Sequence, residues 1–407
     1  MEQILESTIP PFNFPTVEDK SKKIIKVIGV GGGGGNAVQH MWEEGVKDVT
    51  FIVCNTDSQV LSANKVPNKF VLGDGLGAGG NPIRGKEKAE QYLDDIKSLF
   101  DVDTKMVFIM AGMGGGTGTG AAPVIAKTAK DMGILTVGVV TLPFALEGKK
   151  RIDKALIGVE EMRKNVDSLL VINNEKLIDQ YGGSDMTLEE GMAKADEVLS
   201  IATKTVSEII TVMGMVNRDF EDINTVMRNG GTALVSVAKA SGEQRIFKAM
   251  SEALNSPLLN NIDKQKAKKL LYIVYSGDVN PTRMSELTEI NQFMEGFNDD
   301  IEVLWGHYPD KQLGDETKVS IIATGFDRDE IVEDINTCAD KTEALNRLRE
   351  YYYPSHKPTA ITAKPSEKEE TEVAETQQPK VPAAQNNAPK TFMQKLKERL
   401  ISIIDED

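Results

Sequence analysis

The chain has 407 residues, of which 40% are hydrophobic, so it is long enough for two or three domains with buried cores. Its 47 Lys and Arg residues against 62 Asp and Glu residues give a net charge of −15, which argues against a nucleic-acid partner held by phosphate neutralisation. Two cysteines and three histidines are too few for a disulfide framework or a thiolate zinc site, so we expect a reducing compartment and no structural metal.

The first 22 residues contain three prolines and no periodic apolar pattern, which predicts a flexible arm over residues 1–22. They also lack the basic and apolar regions of a secretory signal. The longest uncharged interior stretch, residues 133–146, is shorter than the roughly 20 residues needed to span a bilayer. We therefore expect a cytoplasmic protein without a transmembrane segment.

From Lys23 onward, short apolar runs rich in β-branched residues alternate with helical patterns. The runs cover residues 24–30, 49–53, 106–110, 135–140 and 168–172. Such alternation is typical of a doubly wound α/β domain, which binds its ligands at the carboxyl ends of the strands. We assign this nucleotide-binding domain to residues 23–186.

A long helix and a second unit follow. Apolar residues recur at helical spacing over residues 187–213, which predicts a central helix. Beyond it, strand patterns at 233–237, 270–275, 301–305 and 318–323 accompany helix patterns at 245–254 and 285–297. They predict a smaller α+β domain over residues 214–353, in which the charged segment 327–353 forms one extra helix packed against that second domain.

The C-terminal part has a different composition. Residues 354–389 contain six prolines and no aromatic residue, so we predict a disordered linker over 354–390. Phe392, Leu396, Leu400 and Ile403 then recur at helical spacing, which predicts an amphipathic docking peptide over 391–407. From Lys390 onward four basic and four acidic residues balance, which favours the groove of an adaptor protein over direct contact with anionic lipid.

Two glycine-rich loops each follow a predicted strand and precede a predicted helix. The first, residues 29–36, contains five consecutive glycines, and the second covers residues 112–120. Glycine lets the backbone close on an anion, and a helix N-terminus carries about half a positive charge. One sheet edge would thus carry two phosphate-binding loops. A third glycine-rich stretch, residues 73–82, either closes over the phosphates or is a mobile surface loop.

The first loop also matches GxGxxG through Gly29, Gly31 and Gly34, which leaves a Rossmann-type NAD-dependent oxidoreductase as an alternative. In that case Asp57 would be the acidic residue after the next strand, but it comes later than such sites require, and the second loop would have no role. The sequence contains no GxxxxGK[ST], which excludes a P-loop enzyme. Three loops suit a nucleoside triphosphate better than NAD.

The motif GGGTGTG at 114–120 resembles the signature of the tubulin and FtsZ superfamily. Four further motifs resemble the FtsZ family of cell-division GTPases and occur in the expected order: GVGGGGGNA at 29–37, NTD at 55–57, PFALEGKKR at 143–151 and NRDFEDINTVM at 217–227. The resemblance covers about residues 23–326. It implies a tubulin-like α/β fold, in which a long central helix joins the doubly wound domain to the smaller α+β domain, followed by a disordered tail.

The resemblance also implies a function and a set of residues. The protein would be a GTPase that polymerises into the division ring at midcell, near the inner face of the membrane, where an adaptor and other division proteins bind it. The residues implied near the phosphates and ribose are Gly32, Gly33, Gly34, Gly35, Asn36, Gly115, Gly116, Thr117, Gly118, Glu147 and Arg151. GTP and GDP would be the ligands, with Mg2+ held mainly by the phosphates rather than by side chains, and with K+ left open.

Asn174 and Asp196 match positions that face the nucleobase. A carboxylate can accept hydrogen bonds from the two neighbouring donors on the Watson–Crick edge of guanine, whereas adenine offers an acceptor there. This favours guanine. Met192 stands where the family often places an aromatic residue, so a thioether would contact the base instead.

Asp219 and Asp222 lie three residues apart at the start of a predicted helix, where capping is the simplest interpretation. The resemblance implies a catalytic role instead: the two carboxylates would serve the nucleotide of the next subunit, polarise the attacking water and help to hold a cation. Subunit contact would then be head-to-tail and hydrolysis would require a polymer, either an open filament or a closed ring.

Overall fold

The computed structural model describes residues 23–181, 185, 187–211, 215–216, 219–255, 266–326 and 341–354. The predicted arm (1–22), the docking peptide (391–407) and the linker beyond residue 354 lie outside this part of the chain. The strands are β1 (Ile25–Val30), β2 (Val49–Asn55), β3 (Lys69–Val71), β4 (Met106–Gly112), β5 (Leu135–Leu142), β6 (Ser168–Asn173), β7 (Gly231–Ala240), β8 (Lys269–Ser276), β9 (Glu302–Pro309) and β10 (Thr317–Phe326).

Among the described residues, helices alternate with strands in the first half of the chain and are fewer in the second half. They are α1 (Gly31–Glu43), α2 (Ser58–Ala63), α3 (Pro82–Gln91), α4 (Leu93–Ser98), α5 (Thr117–Asp131), α6 (Lys149–Asn165), α7 (Glu175–Tyr181), α8 (Leu188–Thr211), α9 (Phe220–Met227), α10 (Arg245–Leu254), α11 (Leu287–Met294) and α12 (Lys341–Tyr352). All nine predicted strands form. The short strand β3 was not predicted, because its three residues are exposed or half-buried and carry no apolar run.

Ten strands from the described residues form one sheet in the order β3-β2-β1-β4-β5-β6-β7-β10-β8-β9. The first six pair in parallel, as predicted for a doubly wound domain. Only two residue pairs, Ser168 with Gly231 and Leu169 with Thr232, join β6 to β7. Beyond that junction β10 pairs antiparallel with β7 and β8, so the second unit has the mixed sheet of an α+β domain.

The parallel strands bury apolar residues on both faces. One face packs under α1 and α8, through residues such as Met41 and Val206. The other face packs under α5, α6 and α12. Parallel strands covered on both faces are expected to be almost continuously apolar, which explains the clear strand signal in the sequence. A third cluster fills the second unit beneath α10 and α11.

Helix α12 lies in a different place from the one predicted. Ala344, Leu348 and Tyr352, spaced four residues apart, are buried in the same cluster as the apolar residues of α6. The Nε of Arg349 also donates to Oδ1 of Asp153 in α6 at 2.6 Å. The prediction that this helix packs against the second domain was therefore wrong. Its apolar stripe covers the unit built on the parallel strands, although the helix follows the second unit in the chain.

Candidate functional site

Two helices begin side by side at the carboxyl edge of the parallel sheet. Helix α1 starts directly after β1, and α5 starts shortly after β4, and these two strands are neighbours. Neither of these described helices has a side-chain cap or an acidic residue in its first turn. The first four amides of a helix have no intrahelical partner, and the macrodipole favours negative charge there. The edge therefore presents two bare positive helix ends.

Close backbone packing explains why glycine is required in these loops. A Cβ on Gly34 would collide with the carbonyl oxygen of Met110 in β4, and one on Gly118 would collide with the carbonyl oxygen of Gly112. The obstacles are backbone atoms of the central strand, which cannot move aside as a flexible side chain can. Glycine at these two positions thus allows the helix starts to approach the strand ends and each other.

Other glycines leave open space where a ligand can lie. A Cβ added at Gly32 or Gly115 would meet no described atom within 4 Å. Gly32, Gly33 and Asn36 are exposed, whereas Gly34 and Gly35 are buried. Among the glycines of the first loop that are predicted to contact phosphate, Gly32 and Gly33 are therefore accessible to a ligand, whereas Gly34 and Gly35 are packed inside the protein.

Thr117, the first residue of α5, is held by a threonine that follows β2, two strands away from β4 in the sheet. Its Oγ1 lies 2.6 Å from Oγ1 of Thr56, which is buried. Two residues further on, Oγ1 of Thr119 accepts a hydrogen bond from the amide of Gly114 at 2.8 Å. These contacts fix the second glycine loop. Thr56 was not among the predicted site residues, and its only signal in the sequence is its place within the NTD motif.

The third glycine-rich stretch packs beside the start of α5. A Cβ on Gly116 would lie 2.8 Å from Cβ of Ala78. The stretch is also tied down at two carbonyls: Nζ of Lys88 donates to Gly77 at 2.8 Å, and Nζ of Lys154 donates to Gly80 at 2.7 Å. The contact with Gly116 places the stretch next to the N-terminus of α5.

Glu147 and Arg151 form the predicted pair beside the second glycine loop. The Nε of Arg151 lies 2.8 Å from Oε2 of Glu147, and a Cβ on Gly114 would contact the Arg151 side chain. The other oxygen of Glu147 accepts from the amide of Phe144 at 2.8 Å. The Glu147 side chain is only 11% exposed while that of Arg151 is 45% exposed, so the pair is more than a surface contact.

Asn174 follows β6 at the same sheet edge. It is 9% exposed, and its Oδ1 has no hydrogen-bond partner among the described residues. A buried amide oxygen without a partner costs free energy, which a bound donor would recover. Asp196 and Met192 belong to α8, but their side chains lie outside the described part of the structure.

Asp219 and Asp222 form a capping box at the start of α9. Oδ1 of Asp219 accepts from the amides of Glu221 and Asp222 at 2.9 and 3.1 Å, and Oδ2 of Asp222 accepts from the amide of Asp219 at 3.0 Å. The capping interpretation is thus confirmed as the local structure. Asp219 is exposed and Asp222 is half-buried.

Asp219 and Asp222 lie near the amino edge of the parallel sheet, because the chain is attached to that edge both before and after them. Before them, Oγ of Ser207 donates to the carbonyl of Lys47, just ahead of β2. After them, Nη2 of Arg228 donates to the carbonyl of Gly133, just ahead of β5. Helix α5, with 15 residues or about 22 Å, runs between the two edges. The structure therefore does not bring Asp219 and Asp222 to the glycine loops of the same chain.

Two features are absent from the described residues. No group of three or more His, Cys, Asp or Glu residues there is arranged to hold a metal ion. Within the same residues, no helix has both the length and the apolar character needed to cross a membrane.

Comparison with known proteins identifies similar chains. A model of the GTPase domain of the tubulin/FtsZ family matches residues 24–182, and a model of the C-terminal domain of the FtsZ family matches residues 231–327. The chain is 47% identical over 328 residues to the cell division protein FtsZ of Porphyromonas gingivalis, covering 79% of this chain and 71% of that protein. It is 40% identical over 345 residues to the cell division protein FtsZ of Wigglesworthia glossinidia brevipalpis, covering 84% and 88%.

A solved structure of an FtsZ protein is also similar to this chain. An empty FtsZ dimer from M. jannaschii matches with a TM-score of 0.66 at 39% identity, covering 74% of this chain and 88% of that chain. The matched family domain is a GTPase domain and gives no support to the NAD-dependent oxidoreductase alternative.

Proposed function

Because the chain belongs to the FtsZ family of cell-division GTPases, we propose that it binds GTP across the bare N-termini of α1 and α5. The observation that carries the proposal is the pairing of two helix starts that lack both caps and acidic residues in an otherwise acidic protein. The phosphates would contact the exposed amides of Gly32 and Gly33 and those of residues 115–118. Binding through backbone dipoles requires no excess of basic side chains.

The guanosine would lie towards Asn174, Glu147 and Arg151. The unpartnered Oδ1 of Asn174 can accept a hydrogen bond from a base donor. Asp196 would supply the carboxylate that distinguishes guanine from adenine. Glu147 and Arg151, fixed by their mutual ion pair, would face the ribose and phosphates.

Mg2+ fits this site only with phosphate ligands. The described residues offer no metal cluster of their own, so phosphate oxygens would supply most ligands, and carboxylates Asp219 and Asp222 of a neighbouring subunit could add to them. When bound, the ion neutralises charge that develops on the phosphates. K+ is a candidate for a further cation at the same contact.

Hydrolysis would need a second subunit, since Asp219 and Asp222 lie at the other edge of the sheet. The cap uses Oδ1 of Asp219, and the side chain is exposed, so its second oxygen can face a neighbouring molecule. Seated against the glycine loops of the next subunit, the carboxylates would orient the attacking water and accept its proton. The contact joins two different surfaces, so it can repeat from subunit to subunit, and we propose that it produces an open filament. The similar M. jannaschii protein is a dimer.

The test is GTP turnover per subunit as a function of protein concentration, with Mg2+ present. We expect negligible turnover below a threshold concentration and a steep rise above it, because each site is completed by a neighbour. A per-subunit rate that stays constant at high dilution would mean that each chain hydrolyses GTP alone, and the shared-site proposal would then fail.

The proposal extends to location and partners. Residues 391–407 would dock on a membrane-anchoring adaptor and hold the filaments at midcell, together with other division proteins. Deleting 391–407 should leave assembly in solution unchanged and disperse the protein from midcell. Unchanged localisation of the truncated protein in cells would contradict this role.

A further inference from the structure

The C-terminal end of α12 contacts two segments that carry candidate nucleotide residues. One segment, residues 143–147, ends in Glu147. The other contains Asn173 and Asn174. The first segment follows β5, and the second lies at the end of β6, the neighbouring parallel strand. Helix α12 lies more than 160 residues further along the chain, so these contacts are made only in the folded protein.

Tyr353, the residue after α12, holds the first segment. Its hydroxyl donates to the carbonyl of Pro143 at 2.6 Å. The next amides in the segment are also fixed, since Phe144 donates to Glu147 and Ala145 donates to Oε2 of Glu175 at 2.7 Å. Burial, followed by the negative charges of Glu175 and Glu147, raises the pKa of Tyr353. The hydroxyl therefore remains a donor at neutral pH.

The second segment is held by the backbone of Tyr352. Nδ2 of Asn173 donates to the Tyr352 carbonyl at 2.5 Å, and Oδ1 of Asn173 accepts from the amide of Glu175 at 3.0 Å. Asn173 is 1% exposed, so both contacts are shielded from water. Asn174, the next residue, is thereby fixed with its Oδ1 unpartnered.

Helix α12 itself is firmly attached. Leu348 and the ring of Tyr352 are buried against the first unit. The Tyr352 hydroxyl accepts from Nη2 of Arg163 at 3.1 Å, and Arg349 pairs with Asp153 at 2.6 Å. An element attached at several points can hold a loop in one conformation, because moving the loop would require those contacts to break together.

We propose that Tyr352 and Tyr353 are positioning residues, which hold Glu147 and Asn174 in place on the guanosine side of the nucleotide site. The inference rests on the proposed nucleotide site. It assigns a role in nucleotide affinity to residues that follow the second unit in the chain. The contacts lie on the segments at the ends of β5 and β6 and not on the starts of α1 and α5, so the effect on the nucleoside should exceed the effect on the phosphates.

The test is Tyr353→Phe in the full chain, which removes the hydroxyl and keeps the buried ring. We expect the Kd for GDP to rise about 3- to 10-fold, in line with the loss of one hydrogen bond that orders the site. The inhibition constant of tripolyphosphate, a ligand without a nucleoside, should stay within about twofold of the parent value. Tyr92→Phe is the matched control, since the Tyr92 ring is half-buried against the same core cluster.

A second measurement separates positioning from general loss of stability. In a Glu147→Ala background, Tyr353→Phe should raise the Kd for GDP by a smaller factor than in the parent, because one of the positioned groups is already absent. Equal weakening of GDP and tripolyphosphate, or an unchanged Kd for GDP in Tyr353→Phe, would overturn the positioning role. Failure of the parent chain to bind GDP would instead overturn the proposed nucleotide site.

Discussion

The starts of α1 and α5 differ from the start of α9 in whether side chains cap the unpaired backbone amides of the first turn. Helices α1 and α5 begin without a side-chain cap and without acidic residues in the first turn. Helix α9 begins with a reciprocal cap by Asp219 and Asp222, next to Glu221. The first two ends keep their positive character for a ligand, and the third covers its amides with carboxylates.

This difference gives the subunit two unlike edges. The carboxyl edge of the parallel sheet presents bare helix dipoles, and the amino edge presents a cluster of carboxylates. A triphosphate bound at the first edge would repel those carboxylates unless a cation lay between them. The charge pattern would therefore make the proposed head-to-tail contact depend on the charges of the nucleotide and the cation. Loss of the γ-phosphate would change that balance and weaken the contact.

The largest expected effect comes from removing charge at the amino edge without removing the cap. Asp219→Asn keeps a side-chain oxygen that can cap α9, so stability should change little. Turnover of assembled protein at saturating GTP should fall about 100-fold or more, because the proposed proton acceptor is lost. Asp222→Ala also removes half of the capping box and should lower stability, but it should likewise abolish hydrolysis and leave GTP binding intact. Phosphate release and nucleotide affinity are measured for each variant.

Two controls sharpen that experiment. Glu221→Gln removes one charge from the same helix turn and should keep turnover within about threefold of the parent.

A mixture of Asp222→Asn with Gly32→Asp, whose added charge would repel phosphate, should recover activity that neither variant has alone. Asp222→Asn supplies an intact nucleotide site, and Gly32→Asp supplies the intact carboxylates. An inactive mixture that still forms polymers would argue against a site shared between subunits.

The second-largest expected effect is a difference in stability between substitutions at packed and at open glycines of the carboxyl edge. Gly34→Ala should lower the free energy of unfolding by about 2–4 kcal/mol, because the new methyl group collides with the Met110 carbonyl. Gly32→Ala meets open space and should keep or slightly raise stability, since Ala favours a helix more than Gly does. Its methyl would occupy the ligand side, so GTP affinity should fall. Denaturant titration and nucleotide binding distinguish the two variants, and equal loss of stability in both would refute this division.

The sequence predicted the parts of this fold that depend on local patterns. Buried parallel strands are apolar throughout, so β1, β4 and β6 were evident, and the glycine loops followed directly after strands. The cap at Asp219 was predicted for the same reason, since capping depends on residues two and three positions away. The role of Asp222 in hydrolysis came from the family resemblance and stays a prediction.

Contacts between distant parts of the chain could not be predicted in this way. The apolar spacing of Ala344, Leu348 and Tyr352 indicates a helix but not the surface that it covers. The two-pair junction between β6 and β7 depends on backbone hydrogen bonds that carry no side-chain signal. The hydrogen bond between Thr56 and Thr117 joins two motifs 61 positions apart. Their meeting depends on β1 lying between β2 and β4, which is a property of the whole sheet.

The smallest expected effect concerns His307, which supports the segment before Asp219. Its backbone pairs with Val216, and its Nε2 lies 3.0 Å from Oγ of Ser276. Burial lowers the pKa of His307, so the unfolded chain binds the proton more readily than the native protein does. The neutral ring thus contributes stability above the unfolded pKa of about 6.5, and this contribution is lost as the pH falls below it. Between pH 7.5 and 5.5, His307→Gln should show a decrease in Tm about 1–3 °C smaller than that of the parent. An identical pH dependence in both proteins would exclude His307 as its source.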